Sequence, residues 1–417
     1  VGKTVIEKII QAHSREEAVA GRIVWIDLDV RSARDFGGPN VVKNYERVYG
    51  DAPIADPAKT VFTFDLCAPA CTLKYADNQQ LCRDFARRRG LSVYDVDCGI
   101  GSHILIEERL ARPNGTAVGT DSHMNILGAI GCFGQGMGDV DITFAFRTGK
   151  TWFEVPESVK VVIRGTPSPR ASAKDLTLFL CRELGTHRIA LRAAEFYGPA
   201  VRNLDLAGRM TLCSMITEMA GIVGFIPERG DFQISTLGGG VGRPDGPHAQ
   251  ADHKAVYADV LEVNVDGLEP QIALPPSPNS VKPVSEVRGV RIDSGFIGSC
   301  TNGRIEDLAA AAAVLRRRKI RPGVMLKVVP ATRRVYEDMM ASGILKTLFD
   351  SGAIILNPGC GGCAEGHAGL TGKGEVEVSS GNRNFPGKQG KGPVYLASPA
   401  VVAASCIKGE IASPEEI

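Results

Sequence analysis

The sequence predicts an α/β fold with mostly parallel sheets, divided into three domains. Three observations carry this. Short apolar, β-rich runs alternate with helical stretches along the whole chain, the pattern of βαβ units. A length of 417 residues exceeds what one hydrophobic core usually serves. Proline-rich and glycine-rich stretches interrupt the alternation at wide intervals.

The elements follow in order. Gly2-Lys3-Thr4 has the end of a phosphate-loop pattern but no glycine-rich run before it, so it reads as the start of an amphipathic helix. Val61–Phe64 reads as a buried strand, Asn78–Arg89 as a helix and Leu91–Tyr94 as the next strand. Gly134-Gln135-Gly136-Met137-Gly138 lacks dinucleotide-fingerprint spacing and reads as a packing turn. A second segment opens near Pro156, with strand Val159–Arg164 and helix Ala173–Leu184. Leu237–Pro247 reads as a loop. Leu274–Pro283, with four prolines, reads as an interdomain linker. Beyond it come strand Val290–Phe296, helix Ile305–Arg318, strand Val324–Val329, helix Thr332–Ser342 and a short strand at Ala353–Leu356. The run Arg316–Arg318 reads as a solvated helix face. The expected domains are residues 1–155, 156–273 and 284–417.

Composition excludes some functions. The 48 basic and 47 acidic residues nearly cancel, so no general affinity for nucleic acid or membrane surfaces is expected. No apolar run reaches the roughly 18 residues of a membrane span. Eleven cysteines, an odd number, with no signal peptide ahead of them, imply a reducing cytoplasmic compartment. Cys82, Cys181 and Cys406 read as core residues.

Three other cysteines carry chemistry. Cys300 follows a predicted strand in Gly298-Ser299-Cys300-Thr301-Asn302-Gly303, where the chain turns into a helix opening at Arg304. Backbone N–H groups at such a turn favour a thiolate. Cys360 and Cys363 form a C-x-x-C pair among glycines 359, 361 and 362, which let backbone pass close to a bulky group. Three thiolates suit an iron–sulfur cluster with one iron left without a protein ligand. Such an iron can act as a Lewis acid. A zinc site completed by His367, or a thioredoxin-like redox pair, also fits the spacing.

Together these residues resemble the aconitase superfamily. The resemblance rests on the Cys300 motif, Cys360-x-x-Cys363 and Asn382-Arg383-Asn384-Phe385, with Gly99-Ile100-Gly101-Ser102-His103 and Gly119-Thr120-Asp121-Ser122-His123. Lys174-Asp175, Trp152-Phe153-x-Val155-Pro156 and Glu195-Phe196-x-Gly198 match as well. It spans the whole chain and is strongest toward the large subunit of isopropylmalate dehydratase-like and homoaconitase-like members. It implies a three-domain aconitase-like architecture around a central [4Fe-4S] cluster held by Cys300, Cys360 and Cys363. One iron of that cluster is not ligated by protein and would bind a small carboxylate substrate. The reaction implied is dehydration and rehydration of a 2-hydroxy di- or tricarboxylic acid. The family's fourth, swivelling domain, which carries a serine base, has no counterpart before Ile417. It is expected on a separate small subunit, in a heterodimer or heterotetramer.

Site roles follow from the same resemblance. His123 with Glu218, and His103 with Asp121, match the family's histidine–carboxylate pairs, and Asp65 joins the catalytic set. Ser122, Asn302, Asn382 and Arg383 are expected at the substrate or cluster. Four positions depart from the family pattern. Leu66 follows Asp65 where a histidine is usual, and Arg34 stands where His or Gln precedes Asp35. Lys388 replaces a second substrate arginine, and Ser214 replaces an asparagine. Arg34 and Lys388 are expected to add cations for an anionic substrate. With Leu66, they raise the alternative of a specialised hydratase for a substituted malate or maleate. A cluster-free scaffold or an RNA-binding relative are the non-enzyme alternatives.

Overall fold

The protein is described from a computed structural model covering residues 2–227, 248–363 and 368–417, with the backbone of 234–235 and 241–242. His367 and most of the predicted loop Leu237–Pro247 lie outside the described residues. Of that loop only 241–242 is described, and it pairs antiparallel with 234–235.

Three sheets organise the chain. The first has five parallel strands, in the order Ser92–Tyr94, Thr60–Thr63, Val30–Arg34, Thr116–Gly119, Phe133–Gly136. The second has four, Val223–Phe225, Ala193–Tyr197, Ser158–Arg164 and Asp259–Asn264, again all parallel. The third has seven. Val281–Pro283 and Gln271–Ala273 form an antiparallel edge on Val394–Ala397. Glu377–Ser379, Ser294–Gly298, Met325–Val329 and Ile354–Ile355 then continue in parallel. A separate antiparallel ribbon pairs Ile23–Asp27 with Lys150–Glu154.

Parallel sheets need both faces covered, and these are. Every residue of Thr60–Thr63, Thr116–Gly119 and Ser294–Gly298 is buried. Cys82, Cys181 and Cys406 lie in the apolar cores, as expected. The first helix, Val5–Ala12, opens on a Thr4–Glu7 capping box, so Gly2-Lys3-Thr4 is a helix entry. Among the described residues no helix is long and apolar enough to cross a membrane.

Two expectations need correction. The proline-rich segment 274–283 is not a plain linker. Its last three residues form an edge strand, a place where proline's missing N–H leaves no ladder bond unmade. The strand predicted at Val290–Phe296 is Ser294–Gly298, because Gly298 extends the ladder to Val329.

The topology fixes where a site can form. In the first sheet the chain leaves Val30–Arg34 toward one edge and later returns on its other side. Open parallel sheets bind ligands outside the carboxyl ends of their strands, at such a reversal. Arg34, Asp65 and Asp121 all stand at those ends, as Cys300 and Asn382 do in the third sheet.

Candidate active site

Backbone conformation delivers the first thiol. Gly298 has φ +140°, and a Cβ there would lie 2.0 Å from the Val329 carbonyl oxygen. Only glycine fits at the end of that strand. The chain then turns through Ser299, itself at φ +67°, into the short helix Ser299–Asn302. Thr301 is anchored by Thr211, whose hydroxyl reaches its carbonyl at 2.8 Å, and by Ser214 at 3.2 Å. The departure at Ser214 therefore supports the residue beside Cys300. Cys360 is held from the other side, its N–H donating to the Asp65 carbonyl at 2.9 Å.

Cys300, Cys360 and Cys363 are buried and line one small cavity with Arg34, Leu66, Asp121, His123 and Lys388. Asn382 joins two of the thiols: its amide nitrogen lies 3.4 Å from Cys300 Sγ, and Cys363 Sγ lies 3.6 Å from its Oδ1. Arg34 Nη2 donates to Cys360 Sγ at 2.6 Å. Burial, with Cys363 and Asp121 adding to it, pushes the Cys300 thiol up to about 12. Burial also drives Cys360 well above its ordinary value, against the pull of Arg34. Thiols in such a setting ionise when a cationic centre binds them. Among the described residues no three His, Cys, Asp or Glu side chains are grouped to hold a single metal ion. Three buried thiols around one cavity are a donor set that suits an iron–sulfur cluster.

Arg34 lines the cavity, but its guanidinium is bonded to the protein's own carboxylates and to Cys360. Its Nε donates to Asp65 at 2.7 Å and its Nη1 to Asp121 at 3.1 Å. The guanidinium thus serves two buried carboxylates and one sulfur. Burial lifts Asp65 to about 7 even so, with Asp35 and Asp121 adding to the rise. Asp121 stays below the usual range, because Arg34 and His123 outweigh its burial.

The His123–Glu218 pair is present, with Nε2 and Oε1 3.2 Å apart. Burial alone would raise Glu218, but His123 and Arg383 more than offset it and hold the carboxyl low. Arg383 Nε donates to the same Glu218 oxygen at 2.8 Å, and its Nη1 lies 3.4 Å from the exposed Ser122 hydroxyl. Asn382 also stands 3.0 Å from His123 Nε2. Lys388 is half-buried at the cavity and makes no ion pair among the described residues.

Two expected placements are not found. His103 does not hydrogen-bond Asp121. It is fully buried, its Nε2 faces the Cys300 carbonyl at 2.9 Å, and burial with the Arg304 charge lowers it to about 3. A neutral ring in this position braces the Cys300 backbone. Asn302 turns its amide to Asp307 at 2.8 Å and Thr211 at 3.2 Å, and its buried Oδ1 has no partner among the described residues.

Some residues escaped sequence reasoning. Lys174 is buried, and its ammonium donates to the carbonyls of Ser380 and Gly381 at 3.1 and 2.6 Å, just ahead of Asn382. The Lys174-Asp175 motif was the available signal. Glu107, Arg304 and Thr332 form a buried network beneath Cys300. Arg304 closes the Cys300 motif, but no sequence signal marked Glu107 or Thr332 as its partners.

Ionisable side chains and thiols meet beyond the carboxyl ends of parallel strands, the place where α/β enzymes bind their ligands. The comparisons make the class specific. A family model, Aconitase family (aconitate hydratase), matches residues 7–409. The chain is 42% identical to 3-isopropylmalate dehydratase large subunit 1 of Methanopyrus kandleri, over 99% of both chains. It is 37% identical to the probable methanogen homoaconitase large subunit of Methanothermobacter thermautotrophicus, over 100% of this chain and 98% of that one. The crystal structure of Thermococcus kodakaraensis aconitase X has a related fold, with a TM-score of 0.50 at 12% identity, covering 91% of this chain and 89% of the other. The chain belongs to the aconitase family of hydro-lyases.

Proposed function

We propose that this chain is the large catalytic subunit of a two-subunit hydro-lyase that isomerises a 2-hydroxy dicarboxylic acid of the 3-isopropylmalate type. The observation that carries the reading is the convergence of three buried thiols and His123 on one cavity, with Asn382 bonded to the thiols and Glu218 to His123. Full-length similarity to 3-isopropylmalate dehydratase large subunits supports the substrate class. Arg34 gives no reason to invoke a different substrate, since carboxylates of the protein itself neutralise it.

Held by Cys300, Cys360 and Cys363, a [4Fe-4S] cluster would supply one iron without a protein ligand, a Lewis acid for substrate oxygens. The chain's own residues do the rest. Arg383, oriented by Glu218, binds a substrate carboxylate through its fork of donors, with Ser122 beside it. Lys388 adds a point charge. His123, paired with ionised Glu218, holds a proton for the departing hydroxyl. Asp65, titrating near neutrality, is a second proton holder in reach of Arg34 and Asp121. Leu66 contributes an apolar wall. The base for the carbon-bound proton comes from a small subunit carrying the swivelling domain, and a reducing cytoplasm suits the thiols.

The test is turnover. The chain is co-purified anaerobically with its small subunit, reconstituted with iron and sulfide, and given 3-isopropylmalate. Appearance of the unsaturated diacid, lost in Cys300→Ser, supports the reading. Full cluster loading with no turnover of 3-isopropylmalate overturns the substrate assignment.

A further inference from the structure

One thiol pair lies outside the machinery described above. Cys67 and Cys71 have their sulfurs 3.2 Å apart, and the Cys71 N–H donates to Cys67 Sγ at 3.3 Å. Cys67 is buried whereas Cys71 is exposed. Both line a cleft shared with Asp65, Asn357, Gly359 and Cys360. The backbone at each end is anchored. Asp35 accepts the N–H groups of Leu66 and Cys67 at 2.9 and 3.0 Å, and Gln79 donates to the Cys67 carbonyl at 2.8 Å. Thr72, next to Cys71, caps the helix Leu73–Arg89. Two sulfurs in contact between fixed ends need only a small side-chain rotation to reach the roughly 2.05 Å of a disulfide.

We propose that Cys67 and Cys71 form a reversible dithiol–disulfide couple, a thiol-modification site on the cleft beside Cys360, oxidised by a low-molecular-weight disulfide of the glutathione type. The exposed Cys71 thiolate attacks one sulfur of glutathione disulfide. That S–S bond breaks, a mixed disulfide forms at Cys71, and one glutathione leaves and takes up a proton. Cys67 Sγ then attacks the Cys71 sulfur, closes the Cys67–Cys71 bond and expels the second glutathione. Two electrons and two protons pass from the protein to the oxidant, and excess glutathione reverses both steps. Exposure assigns the order, since Cys71 is exposed to the reagent and the buried Cys67 is in contact with it to resolve the mixed disulfide. The couple gives the wall next to Asp65 two covalent states.

The experiment is anaerobic equilibration of the cluster-loaded full chain, with its small subunit, in graded glutathione buffers. Thiols are then trapped by alkylation after acid unfolding, and the peptides are weighed. The peptide holding Cys67 and Cys71 is expected to become two hydrogens lighter and resist alkylation as glutathione disulfide rises, and to revert in excess glutathione. Cys67→Ser is expected to retain glutathione on Cys71, and Cys71→Ser to leave Cys67 fully alkylatable. Alkylation of both cysteines at every ratio in the wild-type protein overturns the proposal. So does a stable mixed disulfide at Cys71, or a first disulfide formed elsewhere.

Discussion

The Glu218 carboxylate touches two groups at once, accepting from Arg383 and facing His123, with the Ser122 hydroxyl one contact further on. Replacing it with glutamine keeps the shape but removes the carboxylate charge that faces His123 and Arg383. We expect Glu218→Gln to lower kcat/KM by about 10²- to 10⁴-fold, the usual range for loss of an acid–base group. Iron and sulfide content should not change, since Glu218 makes no hydrogen bond to the three thiols. A parallel loss of iron would show that its role is to build the cavity. Glu377 offers a second residue-scale prediction, this one for stability. It is buried against Lys327 and Ser294, and burial lifts it to about 7 although Lys327 pulls the other way. A carboxyl raised in the folded state keeps its proton where the unfolded chain has lost it. Its contribution is therefore most favourable below pH 4.5 and declines as pH rises toward 7. Between pH 5 and 8 the decline is on the order of 2–3 kcal/mol by linkage. Urea unfolding of Glu377→Gln at the two pH values should show that part of the pH dependence gone.

Elements decide which of these residues could be foreseen. The cysteine, His123 and Asn382 motifs are legible because each is a short run at a strand end, where local sequence and geometry coincide. Arg34 is legible as a cation but not as a neutralised one. Its partners, Asp65 and Asp121, are 31 and 87 residues away, and only the parallel pairing of Val30–Arg34 with its two neighbours brings them together. His103 faces Cys300 and not its expected partner Asp121 for the converse reason. It lies in the helix Gly101–Glu107, whose packing turns the ring toward Cys300, a direction that motif spacing does not encode. Lys174 shows the same limit between elements. Its helix, Ala173–Ile189, carries a buried ammonium across to the segment before Asn382 and Arg383. Burial brings its pKa down to about 8, so it still bears most of its charge at pH 7. Lys174→Met should leave the Ser380 and Gly381 carbonyls without this donor, at a cost of about 1–3 kcal/mol of stability. It should also raise KM roughly tenfold more than it lowers kcat, the mark of a misplaced substrate arginine. Steady-state kinetics beside urea unfolding checks both effects, and an unchanged KM would show that the bond only braces the fold.

At the scale of the molecule, the site is a seam. Asp65, Asp121 and His123 come from the first sheet, Glu218 from the second, and all three thiols and Arg383 from the third. Few direct bonds tie the thiols to the first sheet. Arg34 to Cys360, the Cys360 N–H to the Asp65 carbonyl, and His103 to the Cys300 carbonyl are among them. A group bound by the third sheet in this seam, packed against the first, stabilises the folded chain because the unfolded chain cannot assemble the three thiols. The shift follows RT ln(1 + [L]/Kd) and reaches about 4 kcal/mol when the group is bound a thousandfold above its dissociation constant. For a chain of this size that corresponds to a rise of a few degrees in Tm. Differential scanning calorimetry under anaerobic conditions, before and after reconstitution with iron and sulfide, should show this upward shift. Cys363→Ser should abolish the shift while lowering the cluster-free Tm little, since the serine can keep a contact with Asn382. A shift that persists in Cys363→Ser would place the stabilising group somewhere other than the seam.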